Sequence, residues 1–262
     1  MNEADNVIEP VTSKEIISRQ AFEQRRLDSA ARMIEDKDLL DRALDAKVQA
    51  GHDYMWVHQS NWMGEPCLQL PTDMLAIAEA LSKSRPKYVI ESGVAWGGFS
   101  LFLATLLLAT RGEKVIGIDI YIPEDLRERL ASHQGLSERI ILVEGSSTDP
   151  ATVERVRELT NGSTETMVLL DSDHTHAHVL TELQAYESFV GPGQYLICCD
   201  TAIERQPPAP LRPRQWGKGN NPATALSEFL ESEAGATFAL DESIENKLLI
   251  SNNWGGYIRR EI

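Results

Sequence analysis

The residues best suited to chemistry lie in two short runs, Asp171-Ser-Asp173-His174-Thr-His176-Ala-His178 and Cys198-Cys199-Asp200-Thr201. Asp171 and Asp200 each close an apolar run and offer two carboxylates to one crevice. That donor set suits a hard divalent cation such as magnesium, which takes oxygen ligands and keeps several waters. His174, three residues after Asp171, is the candidate general base, since an imidazole titrates near neutral pH. Two other segments point to a nucleoside. Glu91-Ser-Gly93-Val-Ala95-Trp-Gly97-Gly98 is a glycine turn after an apolar run, where backbone can approach a ligand closely. Asp119 ends Val115-Ile-Gly-Ile-Asp119, and its carboxylate can accept from two ribose hydroxyls. The glycine spacing is neither the dinucleotide fingerprint nor the P-loop. Plainer readings stand beside these: Asp173 as a helix cap, His176 and His178 on a solvated face, His174 and His178 as a transition-metal pair four residues apart, and the two cysteines as core packing.

These runs are positioned by a regular alternation of elements. Strands are expected at Tyr88 to Ile90, Val115 to Ile118, Ile140 to Val143, Met167 to Leu170 and Gln194 to Cys198, with helices beginning at Pro71, Gly98, Pro123, Asp149-Pro150 and about Val179. Such alternation implies an α/β fold with a doubly wound, mostly parallel sheet whose ligand crevice lies beyond the carboxyl ends of the strands. Asn221-Pro222 caps a further helix, and Thr237 to Leu240 and Lys247 to Ser251 read as two last strands at the sheet edge. Before the sheet, Val11 to Ala50 has no Gly or Pro, opens on the capping box Thr12-Ser-Lys-Glu15, and repeats Ile16, Ile17, Phe22, Leu27, Met33, Ile34, Leu39, Leu40 and Leu44 at helical spacing. This amphipathic arm either packs on its own domain or forms a contact between subunits of a homo-oligomer. The expected division is a helical extension over residues 1–61 and one domain over residues 62–262.

The chain has 262 residues, enough for one generous core, and its 25 Lys and Arg against 40 Asp and Glu give a formal charge of −15. That field disfavours nucleic acid and anionic membrane as partners and leaves a small molecule as the expected one. Three cysteines are too few for a disulfide scaffold, and Met1 to Pro10 lacks the basic and apolar regions of a signal peptide, so the cytoplasm is the expected compartment. The segment Thr201 to Asn221, rich in Pro, Gly and Arg, is either a lid or a disordered insertion, and its Arg205, Arg212, Arg214, Trp216 and Lys218 could fold over an acceptor and pair with a phosphate.

Several of these motifs together resemble a known family, the cephalosporin hydroxylases and rhamnosyl O-methyltransferases. The resemblance runs from Trp62 to the C-terminus and rests on Trp62-Met-Gly-Glu-Pro-Cys-Leu-Gln69-Leu-Pro-Thr-Asp73, Ile90 to Gly98, Val115 to Asp119, Glu144-Gly-Ser-Ser-Thr-Asp-Pro150, Leu170 to His176, Trp216 to Pro222 and Gly256-Tyr-Ile-Arg259. It implies the class I, Rossmann-like methyltransferase fold with a seven-stranded sheet. The implied cofactor is S-adenosylmethionine, often with magnesium, and the implied reaction is methylation of a hydroxyl on a sugar, free or as a nucleotide sugar, in natural-product biosynthesis. By resemblance, Glu91, Gly93, Ala95 and Gly97 line the methionine end of the cofactor, Asp119 holds the ribose, Ser146 and Ser147 lie near the adenine, Asp171 borders the cofactor and holds the metal with Asp200, and His174 is the base. Metal-dependent relatives carry a Glu immediately before the second Asp; this chain has Cys199, and a neutral thiol is a poor magnesium ligand. Other acceptors of the methyl group, an iron-dependent hydroxylase built from Asp173, His174, His176 and His178, and a nicotinamide-dependent dehydrogenase are the competing readings.

Overall fold

The computed structural model describes residues 18–208 and 213–261, so the capping box at Thr12, the residues Ile16 and Ile17, and Arg212 lie outside the described residues. Helices α1 (Arg19–Glu35) and α2 (Lys37–Tyr54) come first, then a hairpin of β1 (Asn61–Trp62) and β2 (Glu65–Pro66). The α/β alternation follows as α3 (Pro71–Ser84), β3 (Tyr88–Ser92), α4 (Gly98–Thr110), β4 (Lys114–Asp119), α5 (Glu124–Ala131), β5 (Ile140–Glu144), α6 (Pro150–Leu159), β6 (Thr166–Leu170), α7 (His176–Tyr186) and β7 (Tyr195–Cys198). The chain closes with α8 (Pro222–Leu230), β8 (Phe238–Leu240), the single turn α9 (Glu242–Glu245) and β9 (Tyr257–Arg260).

The main sheet has seven strands in the order β5-β4-β3-β6-β7-β9-β8, parallel except for β9, which runs antiparallel to both β7 and β8. The central strands β3, β6 and β7 are buried at every residue, as strands covered by helices on both faces must be. Alternate residues supply two cores. Val89, Val115, Met167, Leu169 and Ile197 pack with α3 and α4 on one face, and Ile90, Ile116, Val168, Leu170 and Leu196 pack with α7 and α8 on the other. Between β3 and β6 the strand order reverses, which opens a crevice at their carboxyl ends.

The helical arm is two helices, because Asp36 ends one and caps the next, its side chain accepting the Leu39 N–H at 3.0 Å. Helix α2 buries Ala43 and Lys47 against the domain, whereas α1 buries no residue and leaves Phe22 and Leu27 exposed. The hairpin seats on the start of α4: Trp62 meets Phe102 edge to face at 5.0 Å and donates Nε1–H to Thr105 Oγ1 at 3.2 Å. A Cβ at Gly98 would stand 2.3 Å from the Pro66 carbonyl oxygen, so only glycine admits that approach.

The expected strand at Lys247 to Ser251 is a loop, and the last strand is Tyr257–Arg260. A short apolar run does not by itself distinguish strand from packed loop. Here Leu248 enters the core, but the polar groups that follow bond Asp73, with Ser251 Oγ at 2.5 Å and Asn252 N–H at 2.8 Å, instead of a neighbouring strand. Leu103→Ala, in the fully buried face of α4, is expected to cost about 2–5 kcal/mol. Leu75→Ala, at a side chain 74% exposed, should stay within about 0.5 kcal/mol, both read from urea midpoints.

Candidate functional site

At the crevice β3 delivers Gly93 and β6 delivers Asp171, and they touch through their backbones: a Cβ on Gly93 would sit 2.0 Å from the Asp171 carbonyl oxygen, at a φ of +94°. Asp171 N–H continues the ladder to Ser92 O at 2.9 Å, and Gly93 N–H reaches Ile118 O at 2.8 Å. The turn that follows is clamped by Asp119 at the end of β4. Its Oδ2 accepts the N–H groups of Val94 at 3.0 Å and Ala95 at 3.1 Å, and its Oδ1 accepts that of Tyr121 at 3.2 Å. Ala95 is held at φ +48°, a conformation few side chains adopt. A carboxylate has about four acceptor positions, so Asp119 still has capacity for a ligand's hydroxyls.

These elements wall a cavity of about 520 Å³. Gly93, Ala95, Asp119, Ser147 and Asp171 line one part; Asp173, His174, Asp200 and Trp216 line another. Of the other residues singled out in the sequence, Glu91, Gly97 and Ser146 stand behind the wall. Glu91 lies beneath the glycine turn, fully buried, and accepts the Ser100 hydroxyl at one oxygen while the other has no partner among the described residues. Burial, with the Asp119 charge adding to it, pushes its carboxyl up to about 8. Gly97 packs against Leu126 and Leu130, and Ser146 Oγ bonds Thr148 Oγ1 at 2.9 Å.

At the rim, His174 Nε2 lies 3.2 Å from Asp200 Oδ2, and the ring stands edge-on to Trp216 at 4.9 Å. Asp200 projects from the turn after β7 with φ +56° and donates its N–H to Asn253 Oδ1 at 2.9 Å. Asp171 Oδ2 accepts Gln69 Nε2 at 2.6 Å. Donor atoms of Asp171, His174 and Asp200 fall within 4.8 Å of one another. The two carboxylates at that spacing fit a hard divalent cation that completes its shell with water, with the imidazole beside it. Burial, followed by the charges of Asp200, Glu91 and Glu182, drives the Asp171 carboxyl well above the usual carboxylate range, an excess of negative charge that a cation relieves. Cys199, fully buried beside them, is held protonated by that burial and by the same acids, so it adds no charge.

The three histidines diverge. His176 turns away to α8, with Nδ1 2.9 Å from Thr224 Oγ1 and Nε2 3.1 Å from Glu228 Oε2, and takes no part in the cavity wall. His178 turns inward instead of to solvent: its Nε2 stands 3.1 Å from Ser172 Oγ and 3.2 Å from Ser147 Oγ, above the buried Glu182. No pair of histidines therefore shares an ion with a carboxylate among the described residues, which removes the iron triad and the His174–His178 pair. Asp173 caps the entry to α7, accepting the Thr175 N–H at 2.8 Å. The segment 213–221 is a tied structure: Asn221 Nδ2 donates to Gly217 O at 2.8 Å, and Asn220 Oδ1 accepts the His176 N–H at 2.9 Å. Gln69 and the inward role of His178 were not legible as site features; Gln69 lay within a quoted motif, and His178 had no signal beyond its spacing.

A doubly wound sheet closed by an antiparallel strand, with a glycine turn and an acid-and-histidine rim at its switch point, defines a class I methyltransferase. More narrowly, the chain belongs to the Rhamnosyl O-methyltransferase/CmcI family, whose model matches residues 54–261. It is 29% identical over 232 residues to the rhamnosyl O-methyltransferase of Mycobacterium tuberculosis (strain H37Rv), covering 84% of this chain and 87% of that one. The rhamnosyl O-methyltransferase of Mycobacterium leprae is 29% identical over 216 residues, 80% of this chain and 86% of its own. Among solved structures, CmcI-D160 with Mg and SAM has a TM-score of 0.52 at 21% identity, over 78% of this chain and 77% of that one. This likeness establishes the fold. No helix among the described residues is long and apolar enough to cross a membrane.

The buried Glu91 makes stability pH-dependent. With its folded pKa at about 8 and its unfolded pKa at the ordinary 4.5, the unfolded chain sheds the proton first, so stability present below pH 4.5 is lost as pH rises toward 8. Glu91→Gln should flatten that decline by an order of a few kcal/mol at the alkaline end, seen in urea midpoints from pH 5 to 8. Parallel slopes for variant and wild type would show that Glu91 is ionised in the folded protein.

Proposed function

We propose that the protein transfers the methyl group of S-adenosylmethionine to a hydroxyl of a small sugar acceptor. The observation that supports this most is the convergence of the Gly93–Ala95 turn, Asp119 and the Asp171–His174–Asp200 rim on one cavity. Asp119, with Ser147 and His178, would hold the nucleoside, and the backbone around Gly93 would hold the amino-acid end of the cofactor. S-adenosylmethionine, when bound, would supply an electrophilic methyl group, and Asp171 and Asp200 would hold a magnesium ion that would polarise the acceptor oxygen.

The chain's own residues do the rest. Asp200 accepts from His174 Nε2, which leaves Nδ1 as the nitrogen that takes the hydroxyl proton, the orienting role a carboxylate plays beside a catalytic imidazole. Gln69 fixes Asp171 by donating Nε2–H to its Oδ2. Trp216, edge-on to His174, covers the acceptor and limits water. A sugar acceptor is favoured by the relatives named rhamnosyl O-methyltransferase and by this aromatic cover, against which a pyranose face packs. Arg214 stacks over Trp216 at 5.1 Å and would meet the phosphate of a nucleotide sugar; Arg205 lies against Trp254.

His174→Ala should lower kcat by about 10²- to 10⁴-fold while the thermal shift caused by S-adenosylmethionine persists, and loss of both would make the residue structural. Trp216→Ala should raise the acceptor KM severalfold with little change in cofactor affinity, measured with a panel of nucleotide sugars and labelled methyl donor. An unchanged KM would remove the acceptor from that face.

A further inference from the structure

The loops after β5 and β6 are joined through a buried acid that methyl transfer itself does not use. Glu182, one turn beyond His178 on α7, is fully buried, and its Oε1 accepts the hydroxyls of Ser92 and, at 2.7 Å, of Ser172. Tyr186 O–H donates to Ser147 O at 3.0 Å and pins the loop after β5 against the same helix. Between the two loops stands the His178 ring, with Nε2 3.1 Å from Ser172 Oγ, 3.2 Å from Ser147 Oγ and 3.6 Å from Glu182 Oε1. Ser92, Ser147, Ser172 and His178 all line the cavity.

These contacts decide where the neutral ring carries its hydrogen. The Ser172 hydroxyl has one proton and gives it to Glu182, so toward His178 its oxygen can only accept. Nε2 is therefore the N–H nitrogen. Nδ1, which has no hydrogen-bond partner among the described residues, is left as an acceptor on a cavity-lining side chain that is 24% exposed.

What this acceptor can meet follows from the chemistry of the nucleoside. With the ribose at Asp119 and the amino-acid end at Gly93, the base extends past β4 toward β5, since β4 lies between β3 and β5 in the sheet. Gly145 and Ser147 line the cavity on that side, and Gly145 N–H is tied to Asp119 O at 2.9 Å. On adenine the N–H donors belong to the 6-amino group, whereas the free ring nitrogens are acceptors. An acceptor at the base end thus has one group to bond.

We propose, resting on the nucleoside placement given to this cavity under the proposed function, that His178 is a specificity-determining residue for the base: Nδ1 accepts an N–H of the 6-amino group and selects a 6-aminopurine over a 6-oxopurine. Ser172 and Glu182 hold the ring in the tautomer that makes this possible. A 6-oxo group is rejected because two acceptors then face each other and Nδ1 is left unpaired.

The test is calorimetric binding of S-adenosylhomocysteine and S-inosylhomocysteine to the purified full chain, two ligands that differ only in the 6-amino or 6-oxo form of the base. Wild type should prefer the adenosyl compound by about 10- to 100-fold. In His178→Phe, which keeps a ring without nitrogens, the preference should fall by about tenfold. His178→Gln, whose amide still reaches toward the serines, should lose it likewise and serves if the phenylalanine variant does not fold. A pH profile separates base reading from packing. Glu182 above all, aided by the charge of Asp173 and opposed by burial, raises the His178 pKa above its ordinary 6.5. From about pH 8 down to about pH 5.5 Nδ1 therefore gains a proton and becomes a donor, so the wild-type preference should shrink while both variants stay flat. A preference absent from wild type, kept in both variants, or independent of pH in wild type would overturn the role of His178 and leave the nucleoside placement standing. No binding of S-adenosylhomocysteine by wild type would overturn that placement and this inference with it.

Discussion

The arrangement depends on one contact, the backbone of Gly93 against the backbone of Asp171 at the reversal of strand order. Helices leaving β3 and β6 depart to opposite faces of the sheet, so nothing fills the space beyond these two strand ends except what the loops put there. Any side chain at residue 93 would collide with the carbonyl of residue 171. That closeness brings the Gly93–Ala95 turn, Asp119 and the Asp171 and Asp200 carboxylates to a single cavity.

The second governing feature is charge. Burial acts on Glu91, Asp171, Asp73 and Cys199 in the same direction, raising each, so the interior beneath the site favours protons on its acids. Hydrogen bonds from Ser100, Gln69, Ser251 and Tyr257 offset part of that cost. Lys47 is buried near these acids, and the charges of Asp200 and then Asp73 partly offset the fall that burial imposes on its ammonium. The Trp216 indole at right angles to the His174 imidazole, with Asp200 at its Nε2, holds the ring that would take a proton.

Much of this was legible along the chain because parallel strands are written as continuous apolar runs and end on the residues that face the ligand: Asp119, Asp171 and Asp200 were read from that rule alone. The run Leu248-Leu-Ile250 misled because its length fits a strand, while its fate was decided by the polar residues after it finding Asp73 instead of a ladder. His178 read as a surface residue because helical spacing gives a direction only relative to a neighbour, and the neighbours Ser147 and Ser172 come from different loops. Lys47 carries no sequence signal of its burial, which is a property of the packed state.

The amino-acid sequence alone determined the α/β alternation from Pro71 to Cys198, the doubly wound sheet, the family, and the list of acids and imidazoles at strand ends, because periodicity and turn chemistry are local and each is satisfied within a few residues. Tertiary structure decided which of those side chains share a cavity, which histidine faces Asp200, why Asp119 clamps the turn in addition to facing the pocket, and that the N-terminal arm buries a lysine against Trp254. Those outcomes depend on contacts between segments such as those 25 and 178 residues apart in the chain, and no local pattern encodes a distance of that kind.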